Sequence, residues 1–244
     1  MSFAAAEAGE ERPFPGDRIQ SWPLAILGTS VVQLGVFLLC LQDAPTPSEL
    51  RRVLLESPLV FRPDQRAQVW RFVLYAFLHA GPWHLALNLL VQLLLGMPLE
   101  MVHGSLRCAG LYVGGVLAGS LASSMLDAHV YLVGASGGVY ALLAAHLANV
   151  LLNYGHMRLP ALRLVGVAFI ASVDVSLAIL DHYYGGHGGR LPVSYLAHLA
   201  GAMAGLALGL LLLRSFGCQR GWRWCGAVLS GVFFGGGSTW VTTA

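Results

Sequence analysis

An all-α bundle of membrane-spanning helices is the fold class the sequence predicts, on three observations. The chain of 244 residues is 56% hydrophobic and only 11% charged, with a mean hydropathy of +0.67. Soluble domains run near 25% charged, so this chain lacks the polar residues to cover a water-facing surface, and lipid is its natural solvent. Its apolar residues also fall in runs close to the roughly 20 that a helix needs to cross a bilayer. Finally, none of these runs alternates polar and apolar residues as barrel strands would, and backbone groups in lipid need partners within the structure.

Six runs are clear, at 22–42, 83–102, 108–126, 136–153, 160–180 and 192–213. The first reads as an uncleaved signal-anchor. Residues 1–21 carry Glu7, Glu10, Glu11 and Asp17 against Arg12 and Arg18, the wrong balance for a mitochondrial presequence, and no short apolar region precedes a cleavage site. A seventh run, 224–242, is weakened by Gly235, Gly236 and Gly237. It has no charge after Arg223 and is counted as a span. Connections are short except 43–82, which holds Pro45, Pro47, Pro58 and Pro63 and reads as a long loop.

Charge and cysteine usage exclude several function classes. The net charge is +2, which leaves no footprint for nucleic acid. Cys40, Cys108, Cys218 and Cys225 form no C-x-x-C pattern and read as free thiols, with neither a disulfide framework nor a zinc site. Arginines in short loops set orientation. With the N-terminus in the cytoplasm, the inner segments carry Arg12, Arg18, Arg107, Arg158, Arg163, Arg214, Arg220 and Arg223, and the outer short loops carry Arg190 alone. Arg51, Arg52, Arg62, Arg66 and Arg71 of the long loop run against this pattern, but the short loops favour the N-terminus inside.

That orientation brings polar residues to one depth. Spans two, four and six then all start at the outer face. Span two opens with PWHLALNLL, setting His84 and Asn88 four residues apart; span four opens with Ser136; span six carries His198 early. At 1.5 Å per residue these groups lie roughly 0–10 Å below the outer face. Serine becomes a nucleophile when a base takes its proton, and histidine suits that role near neutrality. Attack on a carbonyl creates an oxyanion that needs positioned donors. Backbone N–H groups at the start of span four, the Asn88 amide and the His84 ring could supply them. Gly201 and Gly205 follow His198 on a small-residue face, and Gly137, Ala141, Ala145 and Ala148 form a matching stripe on span four, so these two helices can touch.

In these residues the chain resembles the rhomboid intramembrane serine proteases, over about 20–215. The family's GxSG motif appears as Gly134-Ala135-Ser136-Gly137, and its sixth-span HLAG pattern as His198 to Gly201. Its second-span HxxxN appears as His84 to Asn88, preceded by His79, and its first-loop pair as Trp70-Arg71. The resemblance implies a catalytic dyad of Ser136 and His198, and an oxyanion hole of His84, Asn88 and the Ser136 amide. It also implies that Tyr140 stacks on His198 in place of a triad aspartate. Gly134, Gly137, His79, Trp70, Arg71, Gly201 and Gly205 are then supporting residues. A span added after the six-helix core resembles the secretory-pathway type, in the secretory pathway or plasma membrane. The implied organisation is a cytoplasmic segment at 1–21, a catalytic membrane core at 22–215, and a linker plus seventh span at 216–244. The expected partners are single-span membrane-protein substrates and the lipid bilayer, with no nucleic acid, metal or cofactor.

GASGG alone reads as a helix-packing patch, and the converging histidines and donors reverse that preference. It also fits the hydrolase elbow G-x-S-x-G, but no βα alternation surrounds it. His84 and Asn88 could serve as polar glue between helices, while His146 and Asn149 lie deeper and read as structural. Asp181, His182 and His187 share one loop without further ligands, and no H-E-x-x-H occurs. Cys218 and Cys225 beside Trp222 and Trp224 could be palmitoylated; inert thiols are the preferred reading. Asp174 in span five is expected to face protein or water, either as a packing residue or beside the dyad on a helix that moves to admit substrate. Two rival functions are a catalytically silent client-binding relative and a small-solute carrier.

Overall fold

The computed structural model describes residues 14–44, 46–127, 129–184, 194–217 and 220–243, and no side chain at 174, 177–178, 181–184, 220, 233 or 236–243. The described residues form helices and no strand, with one antiparallel bridge between Phe61 and Leu132. The chain is an all-α polytopic bundle. His187 and Cys218, and the side chains of Asp174, Asp181 and His182, lie outside the described residues.

Helix α1 spans Leu24–Gln42. Its N-cap is Pro23, which offers no side-chain acceptor. The carboxylate of Glu100 takes that role from afar, accepting the N–H groups of Ala25 and Ile26 at 2.8 Å each. The long loop is more ordered than its prolines suggest. Thr46 accepts the Glu49 N–H at 3.3 Å while Glu49 accepts the Thr46 N–H at 3.0 Å, a capping box that starts α2, Pro47–Glu56. Leu50 and Leu54 are the buried face of that helix. The helical turn α3, Arg71–Leu74, runs into a 3₁₀ turn at Tyr75–Phe77.

The second span is one apolar rod, Pro82–His103, in three parts. These are α4 at Pro82–Val91, a π-helical stretch at Gln92–Gly96 and α5 at Met97–His103. The remaining helices are α6 at Ser105–Leu126, α7 at Ser136–Asn153, α8 at Pro160–Tyr184, α9 at Tyr195–Leu212 and α10 at Arg220–Thr243. Among the described residues, α1, the Pro82–His103 rod, α6 and α9 are each long and apolar enough to cross a bilayer unaided.

The other predicted runs, α7, α8 and α10, differ from these for physical reasons. Helix α7 packs along both α6 and α9, so protein rather than lipid surrounds its polar residues. His146 Nε2 lies 3.0 Å from the Leu95 carbonyl, and Asn153 donates to Asn149 Oδ1 and to the Arg214 carbonyl at 2.8 Å each. Helix α8 sits at the edge against α7, with Leu162, Val165 and Phe169 facing outward. Its foot is held by an Arg163–Asp17 ion pair of 2.5 Å. Helix α10 packs on α9, where the Arg223 guanidinium donates to the Leu211 and Leu213 carbonyls at 3.2 Å each. Those groups belong to the end of α9 and would otherwise lack partners.

Candidate active site

Ser136 is the first residue of α7, and no side chain caps that end. Its own N–H is therefore among the four at a helix start that no intrahelical carbonyl satisfies. The turn leading to it is built on Gly134, whose φ of 112° strongly favours glycine. The Gly134 N–H donates to the Tyr75 carbonyl at 3.1 Å. A Cβ on Gly134 would meet His84 Cε1 at 2.6 Å and Nε2 at 2.8 Å. The first motif glycine thus makes room for the His84 ring.

Helix α9 starts with Ser194 as N-cap, its hydroxyl accepting the Ala197 N–H at 3.2 Å. His198 therefore falls in the first turn, nearer the helix end than the predicted start at 192 implied. Gly201 and Gly205 bring α9 onto α7: a Cβ at Gly201 would strike the Gly137 carbonyl, and one at Gly205 the Ala141 carbonyl. This is the close backbone approach that small residues permit between membrane helices. Gly137 is Ser136's neighbour and His198 lies one turn before Gly201, so both occupy the same end of the joined helices. Tyr140, one turn after Ser136, stacks on the His198 ring with centroids 4.4 Å apart and planes at 16°.

His84 and Asn88 lie on α4. His84 Nδ1 accepts the Ala80 N–H at 3.3 Å, so the neutral ring carries its proton on Nε2, the nitrogen near Gly134. Asn88 is buried and donates one amide hydrogen to the His84 carbonyl at 2.8 Å, which leaves its second hydrogen for other use. His79 is 1% exposed and meets His84 edge-on, with centroids 5.3 Å apart. Burial first, and then His84, push its pKa down to about 3, so the ring stays neutral.

Trp70 and Arg71 lie in the long 43–82 segment and pin it. The Trp70 indole donates to the Pro58 carbonyl at 3.1 Å, and Arg71 Nη1 to the Ser57 and Val60 carbonyls at 3.1 and 2.8 Å. Arg71 Nε donates to Gln68 Oε1 at 2.7 Å. Burial and the nearby Arg62 charge lower the Arg71 pKa.

Two residues that sequence reasoning did not single out cradle the serine turn. Tyr75 accepts the Gly134 N–H and holds the Val116 carbonyl through its hydroxyl at 2.8 Å. The Tyr112 ring lies where a Cβ on Gly138 would be, 2.7 Å from Cε2. Aromatics in apolar runs carry no distinctive sequence signal, since most are core.

A polytopic helical membrane protein with a serine-opened helix packed on a histidine-bearing one is the class that fold and site define. The rhomboid domain model matches residues 66–215. The chain is 42% identical to mouse Rhomboid-related protein 2 over 199 residues, 80% of this chain and 65% of that one. It is 44% identical to human Rhomboid-related protein 3 over 165 residues, 66% of this chain and 41% of that one. It is also 32% identical to a Caenorhabditis elegans protein named Inactive rhomboid-related protein 2, over 86% of this chain and 61% of that one. The chain belongs to the rhomboid family, and it spans less than two thirds of the length of these relatives.

Proposed function

We propose that the chain is an intramembrane serine endopeptidase that cuts single-span membrane proteins near the outer or lumenal face, in a membrane of the secretory pathway or the plasma membrane, with its N-terminus in the cytoplasm. The catalytic unit is the core at 22–215. The observation that carries this reading is the stack of Tyr140 on His198, on the helix that Ser136 opens.

In this mechanism the Ser136 Oγ attacks the scissile carbonyl carbon while His198 takes the hydroxyl proton. The carbonyl oxygen becomes an oxyanion, stabilised by the Ser136 N–H, His84 Nε2–H and the second Asn88 amide hydrogen. His198 then gives its proton to the leaving amine, and the C–N bond breaks. Water, deprotonated by His198, attacks the acyl-enzyme ester and restores Ser136. No carboxylate is needed to orient His198, because the Tyr140 ring supports its plane. Substrates whose outer helical end is weakened by glycine or proline expose a carbonyl most readily, since helical carbonyls are already hydrogen-bonded.

A silent, client-binding role is the second reading, favoured by the likeness to the relative named inactive. The presence of both Ser136 and His198 favours catalysis. Cleavage of a single-span reporter by the wild type and by Ser136→Ala and His198→Ala decides between them. Each variant should abolish cleavage while still inserting, and the double variant should be hardly worse than either, because the pair acts as a unit. Cleavage by Ser136→Ala would reject the mechanism.

A further inference from the structure

Four buried polar side chains join α1 to the helices that carry the site. Gln92 is fully buried and donates to the Ser30 hydroxyl at 2.8 Å and to Gln33 Oε1 at 3.1 Å. Gln33, also fully buried, donates to the Tyr112 hydroxyl at 2.7 Å. Its remaining hydrogen is shared between the Ala76 carbonyl at 3.3 Å and Gln92 Oε1 at 3.5 Å. The Ser30 hydroxyl in turn donates to the Ile26 carbonyl at 2.8 Å.

The place of Gln92 in the rod gives this network a consequence. His84, Asn88 and Gln92 recur at four-residue spacing, so they share one face of the helix. Gln92 also opens the π-helical stretch Gln92–Gly96. Such a stretch admits an extra residue into the turn, and these bulges are frequent at functional sites. Below it, the packing of α5 therefore does not by itself dictate the rotation of α4. That rotation needs a local anchor, and two hydrogen bonds from Gln92 to α1 supply one. The second arm reaches α7, since the Tyr112 ring held by Gln33 packs on Gly138, two residues after Ser136.

We infer that Gln92 is a positioning residue: anchored to Ser30 and Gln33 of α1, it sets the rotation of α4 and hence the direction of the donors His84 and Asn88 relative to Ser136. Helix α1 is then a common reference for the oxyanion donors and the nucleophile, beyond its part in membrane anchoring. This assignment rests on the proposed protease function. An amide network suits the task because it is neutral, directional and strengthened by low dielectric.

The experiment is a kinetic cycle on the full chain in proteoliposomes, with a single-span reporter whose outer end is glycine-rich. Gln92→Met keeps length and removes both donated hydrogen bonds together with the one accepted from Gln33. It should lower kcat about 10-fold with KM changed less than about two-fold, since misplacement by 1 Å can cost about 100-fold. In an Asn88→Ala background the same change should lower kcat less, by about three-fold, because one of the two donors it aims is gone. Unchanged kcat in a folded Gln92→Met protein, or equal losses in both backgrounds, overturns the inference. Should Gln92→Met fail to fold, Ser30→Ala tests the same anchor more gently, with about a three-fold fall in kcat and the same non-additivity; no effect, or an additive one, overturns it equally. A wild type that cleaves no better than Ser136→Ala would instead overturn the protease function, and the inference would fall with it.

Discussion

The ring of His84 fills the space that a side chain on Gly134 would need. A Cβ there would come within 2.6 Å of the ring, at a backbone φ of 112°. Helix α4 thereby touches the turn before Ser136 through the His84 ring, and the motif glycine is required twice, for its conformation and for its lack of a side chain. Gly134→Ala should strain the turn by about 1–3 kcal/mol and push His84 aside. Loss of one oxyanion donor lowers turnover by about 10²–10³, and the variant should lose at least that in reporter cleavage while remaining inserted. Wild-type cleavage by Gly134→Ala would separate His84 from the oxyanion.

The Tyr140–His198 stack calls for a comparison of two substitutions. Phenylalanine keeps the ring and alanine removes it. Aromatic pairs of this kind contribute about 0.5–1.5 kcal/mol beyond burial, so Tyr140→Ala should lower kcat by roughly 2–10-fold. Tyr140→Phe should stay near wild type. Equal losses in both would assign the effect to the phenol hydroxyl instead of the stack.

Much of this arrangement was legible in the sequence, and the reason differs from element to element. Helix α7 was expected at 136–153 and is found at Ser136–Asn153, because the glycine turn marks its start and Leu159-Pro160 closes the connection after it. Gly201 and Gly205 predicted the α7–α9 contact, because only glycine permits carbonyls that close. Helix α2 lies in a segment whose many prolines spell loop, although Thr46 and Glu49 spell its capping box. The Gln33–Gln92 pair was not legible. Each glutamine is a lone polar residue in an apolar run, and the pairing depends on how two distant helices meet.

Glu100 gives a stability prediction independent of catalysis. Its carboxylate is the acceptor for two N–H groups of α1, at half-buried Ala25 and buried Ile26. Each buried group left without a partner costs roughly 1–3 kcal/mol. Glu100→Ala should therefore lower the unfolding temperature in detergent markedly, and Glu100→Gln, which retains one acceptor oxygen, should lower it less. Equal unfolding temperatures for all three proteins would mean that other groups satisfy the start of α1.

His79 predicts a dependence of stability on pH. Its folded pKa is lowered from 6.5 to about 3 by burial and by His84. As pH falls below 6.5 the unfolded chain takes up a proton that the folded protein refuses. Its contribution to stability is thus complete above 6.5 and is lost progressively as pH falls toward about 3. Thermal unfolding across that range should show a shallower pH slope for His79→Gln than for the wild type. Identical slopes would mean that His79 titrates alike in both states.

Ser136 acting as a nucleophile activated by His198 is the core of the proposed function, and covalent labelling probes it without any substrate. Membranes containing the full chain are treated with a fluorophosphonate, and the modified peptide is identified by mass spectrometry. A single adduct on Ser136 is expected in the wild type, abolished by Ser136→Ala and by His198→Ala. A wild type that takes no label, or labelling of Ser136 that persists undiminished in His198→Ala, would contradict it.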